Sequence, residues 1–262
     1  MFVSVIMPAY NTSPYVEQAI RSLLLQQRSE LRLDIIVIDD GSSDNTVDVV
    51  LGVRHRHPEV RLIAATHGGI SVARNQGLDA LPADAQYVTF HDSDDIAYPG
   101  RIARQLAILQ FDPDLQVVYG TLQIFDFLDN ETLSPSKTAR TMTTRGISLS
   151  AGLFRRKIID QVGRFDESLI QAEDTDFLFR LVESGATVHM EDDIATFYRR
   201  HDTNITRDVA VGRREFMKAI HKSVKRRRPS DRHGIASLCN GMFADRRQFE
   251  EQFEACPSTT PS

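Results

Sequence analysis

The chain has little cysteine, no excess of positive charge and no long apolar run, and each shortage removes a class of protein. Its two cysteines, Cys239 and Cys256, lie late in the sequence and in no metal-like spacing. Free thiols in a reducing cytosol are therefore expected, not a disulfide framework. Lys and Arg total 31 against 36 Asp and Glu, a formal net charge of −5 over 262 residues. That sign argues against a nucleic-acid binder, whose domain is usually basic. No apolar run approaches the roughly 18 residues that a bilayer-spanning helix needs. The sequence enters an apolar run at Phe2 with no basic stretch before it, so a signal peptide is not expected and a cytoplasmic location is.

What is present is an alternation. Residues 3–7, 35–38, 60–64 and 87–90 are short apolar runs of the kind buried in parallel sheets. Between them lie stretches with helical spacing, such as Val16, Ala19, Ile20, Leu23 and Leu24 on one face. Ser13 and Pro14 read as the cap and first position of that helix. The β-α-β-α-β-α-β order implies a parallel sheet with helices on both sides. After residue 95 the pattern changes. A helix is expected over 99–110 and strands over 117–119, 124–127 and 148–154. A polar Thr- and Ser-rich stretch, 129–145, reads as a mobile loop. A helix opens near Asp174 and ends near Gly185. Strand then resumes from Val188, and a last helix begins near Ala210.

Carboxylates gather at the ends of these elements. Asp39-Asp40-Gly41-Ser42 closes the second strand. One carboxylate there can accept the imino N–H of uracil or thymine, although Asp, Gly and Ser also make an ordinary turn. His91-Asp92-Ser93-Asp94-Asp95 follows the fourth strand. Three aspartates in four residues repel one another and call for a cation or hydrogen-bond donors; Mg²⁺ and Mn²⁺ take such hard oxygen ligands. Glu173-Asp174-Thr175-Asp176 opens a helix, where the macrodipole alone would favour acids and where a general base would also be held rigidly. Pro8-Ala9-Tyr10-Asn11, after the first strand, lacks the glycine-rich turn of a Rossmann or P-loop protein. Arg74 reads either as a phosphate-facing cation or as a solvated surface residue.

These motifs, in this order, resemble the family 2 glycosyltransferases, inverting enzymes of the GT-A fold, and the resemblance covers roughly residues 2–201. It implies a Rossmann-like, mostly parallel α/β sheet flanked by helices, with a smaller acceptor side and C-terminal helices. It divides the chain into a domain over 1–205 (nucleotide-sugar half 1–95, acceptor half 96–205), a helical extension over 206–256 and a disordered tail over 257–262. It places Pro8, Tyr10, Asn11, Asp39, Arg74 and Asp92 on the nucleotide, with Tyr10 stacking on the base. Asp94 and His201 would bind Mg²⁺ or Mn²⁺. Asp95 and Glu173 would face the donor or acceptor sugar, and Asp174 would be the catalytic base.

The implied function is transfer of one sugar from a UDP- or dTDP-sugar to a hydroxyl of a glycan or lipid-linked glycan, in polysaccharide biosynthesis. Processive members of the family carry a motif ending in Arg-Trp, and this chain has no tryptophan. The alternatives are a nucleotidyltransferase acting on a sugar phosphate and an inactive sugar-nucleotide binder. The basic run Lys222, Lys225, Arg226, Arg227 and Arg228 reads in two ways. It lies peripherally on an anionic membrane surface, or it is the solvated end of a helix packed on the domain.

Overall fold

The structure is a computed structural model that describes residues 1–145 and 148–227. Its first half alternates as β1 (Phe2–Ala9), α1 (Val16–Leu24), β2 (Arg32–Asp39), α2 (Thr46–Arg56), β3 (Val60–Ala64), α3 (Ile70–Asp79) and β4 (Tyr87–Phe90). β1 lies between β2 and β4, parallel to both, and β3 pairs parallel with β2. The strands are mostly apolar because helices cover both faces. Along β1, Val3, Val5 and Met7 join one core layer with Ile20 and Leu23 of α1, while Ile6 joins the opposite layer with Ala73 of α3. This is the period-two alternation of a strand buried on both sides. A Cβ on Gly77 would come within 2.4 Å of the Ile6 side chain. Glycine there lets α3, which carries Arg74, lie directly on the sheet.

The second half comprises β5 (Ile96–Ala97), α4 (Arg101–Phe111), β6 (Val117–Phe125), β7 (Leu128–Asp129), β8 (Ser134–Pro135), β9 (Thr141–Thr144), β10 (Gly152–Arg155), α5 (Arg156–Val162), α6 (Glu173–Glu183), β11 (Val188–Arg199) and α7 (Val209–Arg226). The main sheet runs β3-β2-β1-β4-β10-β6-β11-β5, with β9 added on β6. Beyond β4 it is mixed. β10 is antiparallel to β4 and β6, β11 is parallel to β6, and β5 is antiparallel to β11. The mostly parallel sheet expected from the sequence is wholly parallel in its nucleotide half and mixed beyond it, where β6 and β11 keep a parallel pairing.

Several local expectations change. Ser13 does not cap α1; its N–H donates to Asp44 Oδ2 at 3.0 Å, and the helix starts later, with Tyr15 at its N-cap. The strands expected over 117–119 and 124–127 are one, β6, because Gly120 and Thr121 continue it beside β11. The stretch 129–145 is not a featureless loop: β7 and β8 pair as a small hairpin, and β9 pairs with β6. The strand expected over 148–154 begins as a 3₁₀ turn at Leu149–Ala151.

α7 packs on α6 through Ala219 and Ile220 against Phe179 and Val182. Much of the basic run is paired there: Lys222 with Asp166, Arg226 with Asp176 and Glu183, and Arg227 with Glu183. Arg228, both cysteines, the rest of the expected extension and the tail lie outside the described residues. Among the described residues no helix is long and apolar enough to cross a membrane.

Candidate functional site

The loops at the carboxyl ends of β1, β2, β3 and β4 converge, as ligand-binding loops do in open α/β sheets. Asp39, the last residue of β2, is 2% exposed. Its Oδ2 accepts the Ser42 N–H at 3.1 Å, while Oδ1 is buried without a partner. A buried carboxylate oxygen without a donor is costly, and a ligand N–H would relieve it. Tyr10 is 46% exposed and stacks on His67, ring centroids 4.3 Å apart. The His67 Nδ1 lies 2.9 Å from Asp40 Oδ2, and the same carboxylate accepts the N–H groups of Gly68 and Gly69 at 2.8 and 2.9 Å. Asp40 therefore shapes the β3–α3 loop, and His67 extends the aromatic surface. The sequence reading gave neither a role.

Asn11 adopts φ 50°, and its side-chain oxygen accepts the N–H groups of Ser43 and Asp44 at 2.8 and 3.3 Å. It clasps the β1–α1 loop to the β2–α2 loop. Pro8 is buried within β1, opposite Ile38.

Arg74 is the junction of the site. It is 2% exposed, so the reading as a solvated surface arginine falls away. One terminal nitrogen donates to Asp92 Oδ1 at 3.0 Å and the other to Glu173. Residues far apart in sequence, after β4 and at the start of α6, are thus held on one guanidinium. Aromatic packing supports the same junction. Phe90, immediately before His91, meets Phe165 and Phe177 edge-on at 5.4 and 6.0 Å, and those two stack at 4.6 Å. Burial, opposed by Arg74, pushes the Asp92 carboxyl above its ordinary range.

Asp174 is the second residue of α6, beside this junction. Burial, with help from the Glu173 charge and against Arg74, raises its carboxyl to about 7. One oxygen accepts the Thr175 N–H at 2.6 Å. A partly exposed carboxyl poised near neutrality is suited to proton transfer.

Asp94 turns the other way. Its Oδ2 lies 2.9 Å from His201 Nε2 and 3.3 Å from the Asn204 side-chain nitrogen. The Thr203 hydroxyl lies 2.9 Å from His201 Nδ1, and the imidazole stacks on Tyr15 at 4.5 Å. The two residues named for the metal are therefore together, on a carboxylate oxygen and an imidazole nitrogen. Among the described residues there is no group of three or more His, Cys, Asp or Glu arranged to hold a metal ion.

Asp95 points inward. It is 0% exposed, and its Oδ1 accepts the Arg199 N–H at 3.0 Å, tying the aspartate turn to the end of β11. Burial, then Asp94 and Asp92, hold its carboxyl well above the usual range. His91 is equally buried, and burial together with Arg101 lowers it to about 3, so its ring is neutral.

Fold and site together define a GT-A glycosyltransferase domain. The chain belongs to the glycosyl transferase family 2, whose sequence profile matches residues 4–163. It is 25% identical over 233 residues to a chondroitin synthase of Pasteurella multocida, covering 87% of this chain and 24% of that protein. It is 37% identical over 115 residues to YibD of Escherichia coli, an uncharacterized glycosyltransferase, covering 44% of this chain and 32% of that one. The chain thus spans about a quarter to a third of the length of these curated relatives. Among solved structures it resembles Staphylococcus aureus TarS 1-349 in complex with UDP-GlcNAc, with a TM-score of 0.69 and 20% identity, over 98% of this chain and 76% of that one. It also resembles the mannosyltransferase PcManGT of Pyrobaculum calidifontis in complex with GDP-Man and Mn²⁺, with a TM-score of 0.67 and 18% identity, over 87% and 66%.

Proposed function

We propose that the protein is a metal-dependent, inverting glycosyltransferase that moves one sugar from a UDP- or dTDP-sugar to an acceptor hydroxyl. The observation that supports this reading is the Arg74 bridge, in which one guanidinium pairs with Asp92 after β4 and with Glu173 of α6. Tyr10 offers its exposed face to the base, and the unpartnered Asp39 Oδ1 accepts the imino N–H of uracil or thymine. Arg74 fixes Asp92 toward the nucleotide and Glu173 toward the sugars. Asp174 accepts the proton of the acceptor hydroxyl. The hydroxyl oxygen bonds to the anomeric carbon from the face opposite the nucleotide, and the bond from that carbon to the diphosphate breaks.

The Asp94 carboxylate and the His201 imidazole, 2.9 Å apart, are a donor set suited to a hard-to-borderline divalent cation and would hold it, so Mn²⁺ or Mg²⁺ is the cofactor of this reading. When bound, it neutralises the departing diphosphate as a Lewis acid. A glycan acceptor is supported by relatives named as chondroitin and hyaluronan synthases. Peripheral membrane contact has less support than the sequence pattern gave it, because Lys222, Arg226 and Arg227 are paired within the fold.

The test is a panel of UDP- and dTDP-sugars with Mn²⁺, followed by release of free nucleotide. The expected result is slow hydrolysis of at least one donor that stops on adding EDTA. No release from any donor, or release unaffected by EDTA, contradicts the reading. Within the same account, Asp39→Asn weakens UDP binding by about 10–100-fold, the worth of one hydrogen bond to a charged acceptor, and leaves the melting temperature unchanged or raised. Calorimetry and thermal denaturation check both.

A further inference from the structure

The segment that carries the acid pair is held from two sides. On the donor side, Asn75 bonds both the N–H and the carbonyl of Phe165, at 2.7 and 3.1 Å, and Ser71 donates to the Leu169 carbonyl at 3.1 Å. On the outer side α7 and the turn before it grip the segment. Lys222 pairs with Asp166 and donates to Ser168 at 2.7 Å. Against the effect of burial, Lys222 and Ser168 hold the Asp166 carboxyl down at about 2. Glu215, 0% exposed, accepts the Ile170 N–H at 3.4 Å. Gln171 donates to the Ile205 carbonyl at 3.0 Å.

The next residue, Ala172, is the N-cap of α6 and has φ 60° and ψ 21°. Only glycine, and less often Asn or Asp, adopts this left-handed conformation readily, and it persists where surrounding structure over-determines it. Ala172 packs with Phe179 and Val182 of its own helix and with Ala219 and Ile220 of α7. One turn further on, Asp176 is 1% exposed. Its Oδ2 takes Arg180 of the same helix at 2.8 Å, and its Oδ1 pairs with Arg226 of α7 at 2.9 Å. Arg226 also reaches Glu183, at the far end of α6, at 2.7 Å. The Arg226 guanidinium therefore spans α6 from its first turn to its last.

We propose that α7 is a positioning element of the site and that its Arg226–Asp176 ion pair sets the aim of Asp174, two residues away; this rests on the reading of Asp174 as the base. Removing the pair frees the first turn of α6 to shift, while the nucleotide loops at the ends of β1, β2 and β4 make none of these contacts. A displacement of about 1 Å at a reacting group is enough to lower a rate about 100-fold. The expected signature is a loss in turnover without a loss in nucleotide affinity.

The experiment uses the full chain, Mn²⁺ and the donor that gives the most nucleotide release in the panel. Arg226→Met is expected to lower kcat for donor hydrolysis about 10–100-fold and to leave the Kd for UDP within about twofold, with Arg226→Lys recovering part of the loss. Hydrogen exchange at the amides of 173–176 is expected to quicken in Arg226→Met and to stay unchanged in residues 1–64. Ala172→Gly serves where Arg226→Met fails to fold. Glycine suits the left-handed position, so its melting temperature is kept or raised while kcat falls several-fold. Asp174→Asn is run beside them. If it remains active, the base is wrongly assigned and the proposal falls with it. If it is inactive while Arg226→Met and Ala172→Gly turn over as the wild type, or if exchange at 173–176 does not quicken, the positioning role is overturned.

Discussion

Asp174→Asn is expected to leave UDP affinity within about twofold of wild type and to lower donor turnover about 10²–10⁴-fold, the usual contribution of a general base. The two effects separate because Asp174 belongs to α6, whereas the residues proposed for the nucleotide, Tyr10, Asp39, Arg74 and Asp92, lie between the end of β1 and the turn after β4. The pH dependence follows from the raised carboxyl, near 7 under burial and the neighbouring Glu173 charge. Only the ionised form accepts a proton, so kcat rises with pH up to about 7 and then levels. Burial of the same group gives a stability effect of opposite sense. A carboxyl raised in the folded protein contributes stability at low pH that is lost as pH climbs from the ordinary carboxylate range through about 7. Asp174→Asn is therefore more heat-stable than wild type at pH 8 and no more stable near pH 4. Initial rates from pH 5 to 9 and melting curves over a wider range check the two slopes.

Arg74→Met is expected to be the most damaging single change at the site. It leaves Asp92 and Glu173 without their shared partner, beside Asp94, Asp95 and Asp174. Breaking a buried ion pair from one side costs about 3–5 kcal/mol, because the remaining charge is left uncompensated. Denaturant unfolding should show a loss of that order, smaller as pH falls because the Asp92 carboxyl, already raised by burial, takes up a proton more readily once Arg74 is gone. Arg74→Lys keeps the charge but not the fork that reaches both carboxylates, so it falls between the two. Unchanged unfolding for Arg74→Met would mean that the junction does not hold the two halves together.

The sequence made the nucleotide half legible because β1, β2 and β4 are buried on both faces and read as short, mostly apolar runs, with their motif residues at or just after their ends. The motif aspartates could be found for the same reason. The acceptor half was harder. Its strands alternate direction and vary in length, and β9 is a polar edge strand whose Thr-rich composition also suits a loop. The partnerships within the site were out of reach. No periodicity connects Arg74 with Glu173, Asp94 with His201, or Tyr10 with His67, since each pair meets only after the sheet has formed. Asp95 illustrates the limit. As one of three clustered acids it read as sugar-facing, whereas its side chain turns inward to the Arg199 backbone. The basic end of α7 read as a cationic stripe because its acidic partners Asp166, Asp176 and Glu183 lie about 40 or more residues earlier.

The central claim, single displacement by a hydroxyl that Asp174 deprotonates, is tested most directly by following the anomeric proton during hydrolysis of a UDP-α-hexose by NMR. Attack from the face opposite the nucleotide delivers the β sugar first, with the α anomer growing only at the rate of free mutarotation. That order is the expected result, with Mn²⁺ required and Asp174→Asn silent. Release of the α anomer first, or an unchanged time course for Asp174→Asn, would contradict it.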